Sequence, residues 1–267
     1  LCRKRQPRRK GRPILNRVCC RHPRTPRCIC LKSSFIRKAH RWLGLIAAIQ
    51  LLIWTGSGLF FSIVPIDDVR GTHLLQAPPT LRLEHVRLIS PSELVAQHQE
   101  LAMLSVGKVQ LQQRLYTPIY LVKREDELLV FHAETAAKLA PLSETEAHSI
   151  ATNSSQLPVQ SLSWVTSVDR GSEYRDGELP AWKVELKGVD EANLWIGANS
   201  GKVSAIRTNT WRLYDFLWGL HIMDYVDRDN FNSWLLRAFA LLGVMTIASG
   251  LLLFFISAKQ RKRAKTS

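Results

Sequence analysis

Two apolar runs frame this chain, and between them the hydrophobic positions switch to short alternating segments. Trp42 to Ile66 holds no ionisable side chain over 25 residues, and Ala238 to Ala258 holds none over 21. At about 1.5 Å of rise per residue the runs make helices of roughly 37 and 31 Å, enough to cross a hydrocarbon core of about 30 Å. The pattern predicts transmembrane helices within 35–66 and 233–258. The first run is longer than the apolar core of a signal peptide and lacks a small-residue cleavage site before Phe60, Phe61 and Pro65, so it is expected to stay as an anchor.

The region between the runs carries signals of helix followed by strands, twice over. Ser90-Pro91-Ser92-Glu93 is a capping box with proline at the first helical position, predicting a helix to about Leu101. Strands are predicted near 110–115, 119–123 and 128–132, with Glu125-Asp126-Glu127 as a polar turn. Ser143-Glu144-Thr145-Glu146 opens the second helix, to about Asn153. Strands follow near 159–168, 181–186, 194–198 and 203–207. The phrases His132–Ala136 (HAETA) and Gly197–Gly201 (GANSG) fall at the same place in each unit, which reads as a tandem helix-plus-antiparallel-sheet module. The units are expected at 67–140 and 141–210.

Beyond them, Trp211, Tyr214, Trp218, His221 and Tyr225 are spaced 3, 4, 3 and 4. That spacing predicts one helical face, and Trp and Tyr favour the membrane boundary, so 211–232 is read as an interfacial amphipathic helix that breaks near Asp227–Asn230. Trp42 and Trp234 are candidate anchors of the same kind. Gln50, Thr55, Gly56 and Gly58 on the first run, with Gly243, Thr246, Ser249 and Gly250 on the second, are small or polar residues suited to close helix packing. A sharper reading makes Gln50 part of a functional site.

Charge fixes the expected topology. Residues 1–41 carry fifteen Lys and Arg and no acid, 259–267 carry five and none, and all 22 acidic residues lie between Asp67 and Asp229. Both tails are therefore expected in the cytoplasm of a bacterial inner membrane, with 67–232 in the periplasm. The formal net charge of +15 does not indicate nucleic-acid binding: 20 cations sit in the tails, leaving 17 against 22 anions between the helices. Membrane lipid is the expected contact of the basic tails.

All five cysteines, Cys2, Cys19, Cys20, Cys28 and Cys30, fall in a Pro/Arg-rich stretch whose spacing matches no common zinc pattern. Residues 1–34 are expected to be a disordered basic tail, and two readings of 1–30 stay open: a native extension, or an over-extended translation with the native start near Leu31. No metal or catalytic residue is assigned: His85, His132 and His148 are scattered, and no H-E-x-x-H or G-x-S-x-G motif occurs. Asp67, Asp68, Asp224, Asp227 and Asp229 could rim the membrane face for a cation, although a solvated collar explains them more simply.

Ala181–Ile206 (AWKVELKGVDEANLWIGANSGKVSAI) resembles the PepSY module, and Arg37–Leu45 (RKAHRWLGL), Thr55–Phe60 (TGSGLF) and Ser249–Phe255 (SGLLLFF) resemble the PepSY-associated transmembrane helices. The likeness spans about 35–258. The chain departs where the family often has Asp-Ala-x-Thr-Gly: Gly197 and His132 replace the Asp, and Ala136 replaces the Gly. The resemblance implies an α+β membrane protein, two transmembrane helices flanking a periplasmic tandem PepSY-like region. Larger relatives with four or more membrane helices include proteins linked to iron uptake, ferric-siderophore reduction and haem, and they place haem-ligating histidines in their membrane bundles.

Two functions are expected on these grounds. The first is non-enzymatic: binding or regulating a periplasmic or membrane protein, or a further copy of this chain, as PepSY modules of metallopeptidase propeptides bind their enzymes. The second is electron transfer in iron or siderophore reduction, with haem b as cofactor and His40 and His221 as its ligands. These two histidines are separated by nearly the bilayer thickness, so they cannot share one iron within a protomer. The plainer expectation for both is an interfacial position.

Overall fold

The computed structural model describes residues 33–265 except 83, 85, 104, 106, 107, 126 and 189. The cysteines, His85 and most of the N-terminal tail lie outside the described residues, as does Asp126 of the polar turn.

Helix α1 runs Ser33–Ile63 and ends before Pro65, whose ring removes a backbone donor and disfavours helix in the residue ahead of it. The last helix, α6, runs Trp234–Lys265 and pairs with α1. Their segments Phe35–Ile63 and Trp234–Ala258 are long and apolar enough to cross a membrane, and only 6% and 0% of their most apolar stretches are buried. Leu52, Ile63, Ile247 and Phe254 stand more than half exposed, a surface that water would not tolerate and lipid does.

After Pro65 comes the short helix α2, Ile66–Arg70, closed by Gly71 in the left-handed conformation at φ 66°. A Cβ there would also sit 2.9 Å from Ile206 Cγ2, so glycine is required twice over. Helix α3 (Pro91–Gln97) is capped as its sequence dictates, Ser90 accepting from the Glu93 amide and Glu93 returning to the Ser90 amide. It stops short of Leu101, which closes a separate 3-10 turn. It packs on an antiparallel sheet of β1 (Val109–Arg114), β2 (Thr117–Arg124) and β3 (Glu127–His132) in sequential order. Leu94, Leu101, Tyr120, Val122 and Phe131 fill that interface, while Ile119, Leu121 and Val130 bury the opposite face.

The next unit repeats the order with four strands. Helix α4 (Glu144–Ser154), capped by Ser143 and Glu146, covers β4 (Val159–Val165), β5 (Ala181–Leu186), β6 (Asn193–Gly197) and β7 (Val203–Arg207). Ile150, Val184, Leu194, Ile196 and Ile206 form its core. The far side of this sheet is covered by the β4–β5 connection, whose Tyr174 stacks on Trp195 at 4.3 Å and 5°. Glu178 from the same connection accepts from the Asn199 and Ser200 amides and so fixes the GANSG turn. The units are tied by Arg114, 7% exposed, which donates to the Ala140 carbonyl at 2.9 Å and pairs with Glu146 at 3.3 Å.

Helix α5 (Asn209–Ile222) starts from the Thr208 cap directly after β7 and lies against α1. Two expectations are corrected here. Met223 adopts the left-handed conformation and ends α5, so the break precedes Asp227–Asn230 and Tyr225 lies off the helix. The reason is Asp224: its buried carboxylate accepts from the amides of Val226, Asp227, Asp229 and Asn230 and winds the chain into a loop instead.

Candidate functional site

The aromatic face of α5 is turned onto α1. Phe61 meets Tyr214 at 4.7 Å and Trp218 at 5.9 Å between ring centroids, and His221 stacks on Trp54 at 4.8 Å and 20°. Trp211 points elsewhere, beneath the guanidinium of Arg207 at 4.2 Å. Of the other candidate anchors, Trp42 and Trp234 are well exposed. α5 is held by charge on its other side: Asp215, 4% exposed, accepts from Arg175 at 2.7 Å and from Arg228, and Arg175 also pairs with Asp229 at 2.7 Å.

His40 and His221 are built alike. His40 Nδ1 lies 2.7 Å from Ser249 Oγ, across from α1 to α6. His221 Nδ1 lies 2.8 Å from Ser57 Oγ, across from α5 to α1. Each serine has a second neighbour in its own helix. Ser249 Oγ is 2.8 Å from the Thr246 carbonyl, and Ser57 Oγ is 2.9 Å from that of Trp54 and 3.0 Å from that of Ile53. A hydroxyl has one proton, and a carbonyl can only accept, so both contacts of each serine are satisfied together in one arrangement, with the serine proton given to the backbone. The oxygen then accepts from the ring, which places the imidazole proton on Nδ1 and leaves a lone pair on Nε2. Burial pushes His221 below its ordinary value of 6.5, against an opposing hydrogen bond to the Trp54 backbone, which keeps this ring neutral at pH 7.

Glycine follows serine in both cases and the ring lies beside it, tightly at Gly250 and at ordinary contact distance at Gly58. A Cβ on Gly250 would lie 3.2 Å from His40 Cε1, and one on Gly58 would lie 3.7 Å from His221 Cε1. Gly56 and Gly243 differ, with nothing within 4 Å of where a Cβ would stand, and Thr55 is exposed. The small residues therefore divide: Gly58 and Gly250 receive histidines, while Gly56 and Gly243 face open space. Gln50 Nε2 is buried with no hydrogen-bond partner.

The structure keeps the two histidines apart. Seventeen residues of α1 separate His40 from Ser57, about 25 Å along the helix. The acidic residues do not gather: Asp229 serves Arg175, Asp224 serves loop amides, and among the described residues no group of three or more His, Cys, Asp or Glu could hold a metal ion. His132 Nδ1 accepts from the Glu134 amide within its own turn. His98, which sequence reasoning passed over, is structural, its Nε2 lying 2.7 Å from the Ala136 carbonyl and its ring 4.6 Å from Phe131. Sequence reasoning also missed Ser57 and Ser249 as histidine partners, although the signal was present as Ser-Gly in both TGSGLF and SGLLLFF.

A membrane protein of mixed α and β structure is what this fold and these helices define. The family model described as "PepSY-associated TM region" matches residues 6–256, and the chain belongs to that family. No curated protein and no solved structure matches it.

Proposed function

We propose that this chain is a haem-carrying electron-transfer component of a bacterial inner membrane, serving iron or siderophore reduction. The observation that supports it most is the pair of serine-fixed imidazoles. A neutral ring with Nδ1–H given to a fixed acceptor offers Nε2 to a metal in a set orientation, as metal-ligating histidines do. Were haem bound, His40 and His221 would each hold it through one ring nitrogen, and a further ligand at each position would come from a further copy or a partner protein. Bound haem would supply one-electron carriage. The chain's own part is to orient each ring, to keep His221 neutral among Trp54, Phe61 and Trp218, and to separate the two positions by about 25 Å. In this reading both basic tails are cytoplasmic, 67–232 is periplasmic, and its two helix-plus-sheet units are tandem PepSY modules.

A second reading, docking of a protein partner, draws on one edge of the larger sheet. Among the described residues strand β4 pairs only with β5, and it leaves Trp164 43% exposed beside Trp182. An open edge with an exposed tryptophan suits strand addition by a partner. Purification from haem-replete membranes in mild detergent separates the two. The haem reading expects a Soret band that falls by about half in His40→Ala and in His221→Ala separately, and a colourless protein would refute it. A colourless protein that retains a bound partner, lost on Trp164→Ala, is the outcome of the docking reading.

A further inference from the structure

α1 and α6 do not close on each other throughout. A groove of about 420 Å³ opens between them, lined by Gln50 and Trp54 of α1, by Phe239, Gly243 and Thr246 of α6, and by Met223 after α5. That is within the usual range of small-molecule sites, roughly 300–1,000 Å³. The wall is apolar apart from Gln50, Thr246 and the indole N–H of Trp54. The Thr246 hydroxyl is already given to the Leu242 carbonyl at 2.8 Å. Gln50 Nε2 is the one buried side-chain polar atom among the described residues that has no partner. Gln50 thus brings to the wall of the groove an amide whose N–H is unused; its nitrogen is buried as it stands and meets a ligand once the amide turns outward, in surroundings where no water can answer it.

A donor of this kind calls for a carbonyl, and its depth decides whose. Gln50 is one residue from the midpoint of the Phe35–Ile63 span. The ester carbonyls of phospholipids lie at the edge of the hydrocarbon core, about 15 Å from its middle. A carbonyl that reaches Gln50 must therefore ride on a molecule that dissolves in the core itself. One turn along α1, Trp54 borders the same groove with a flat indole that also stacks on His221. A planar ring bearing a carbonyl would be received by both residues. We infer that this groove binds a lipid-soluble quinone, one ring carbonyl accepting from Gln50 Nε2 and the ring lying along Trp54. The inference rests on the groove and stands independently of haem.

The test uses the full chain in nanodiscs of dioleoyl-phosphatidylcholine with decylubiquinone labelled with ¹³C at its carbonyls. Expected are saturable binding by calorimetry, at one quinone per chain, and a lowered infrared frequency for one labelled carbonyl. Gln50→Leu should abolish that frequency change and weaken binding about tenfold, the equivalent of about 1.4 kcal/mol for one hydrogen bond. Gly243→Leu should abolish binding, because its side chain enters the groove where nothing of the protein stands within 4 Å. Neither substitution should alter the visible spectrum, so failure here is distinct from failure of the haem reading. The inference is overturned if no saturable binding is seen. It is overturned equally if ¹³C-labelled lipid esters show the Gln50-dependent change instead, or if Gln50→Leu halves the mass by light scattering, which would make a second copy the occupant.

Discussion

Ser57→Ala tests the geometry of His221 without reference to any ligand. The change deletes the hydroxyl 2.8 Å from Nδ1 and adds no bulk. The Ile53 and Trp54 carbonyls that Ser57 also contacts remain within a continuous helix, so α1 is expected to persist. What is lost is one part-buried hydrogen bond, worth about 1 kcal/mol, or roughly a fivefold preference for the proton on Nδ1 over Nε2. Ring ¹⁵N NMR of histidine-labelled protein in nanodiscs at pH 7.5 reads this directly. The wild-type His221 signals should show Nδ1 protonated and Nε2 bare, and Ser57→Ala should give a mixture of the two tautomers. Under the haem reading the same variant should also bind haem about tenfold more weakly, the lower end of what loss of an outer-shell partner costs. Ser249→Ala should do the same to His40. A wild-type spectrum with the proton on Nε2 would refute the argument outright, because the serine would then be the donor and the lone pair would point the wrong way.

Asp215→Ala strips the counter-charge from Arg175 and Arg228 and should cost about 2–3 kcal/mol, discounted because both guanidiniums keep some solvent; an unchanged thermal midpoint in detergent would count against it. Gly201→Ala forces a side chain into φ 69° and against Arg114 Cγ at 2.9 Å, so a loss of about 2 kcal/mol or more is expected, again by thermal unfolding. Asp224 is raised by burial, but four loop amides outweigh that and hold it below its ordinary 3.8. Its folded value is depressed, so its stabilising contribution is complete above about pH 3.8 and is lost as pH falls through the folded value. The protection of amides 223–233, taken relative to their intrinsic exchange rates, should therefore fall on acidification below 3.8, and that fall should be absent in Asp224→Asn.

Local signals were legible and distant ones were not. The spans are readable because no charge interrupts Trp42–Ile66 or Ala238–Ala258, and length alone then decides. The caps at Ser90 and Ser143 are readable because donor and acceptor lie three residues apart. The 3-4-3-4 spacing from Trp211 to Tyr225 was a sound helical signal as far as His221, and it failed at Tyr225 because nothing in a periodicity reports that Asp224 will gather four amides. The partners of His40 and His221 lie 209 and 164 residues away, and those of Arg175 lie 40 and 54 away, distances over which a sequence pattern carries no information. Gln50 stood out as polar in an apolar run, but only packing reveals that its amide is left without an acceptor.

Arg207 ends β7, Thr208 is the cap, and α5 begins at Asn209, so no slack chain separates the larger sheet from His221. The sheet, the capped helix and the imidazole form a yoke, with Asp215 and Asp224 as its pins. Strand, cap and helix thus run without a break over the 14 residues from Arg207 to His221, so the place of the ring is set by the sheet it follows from.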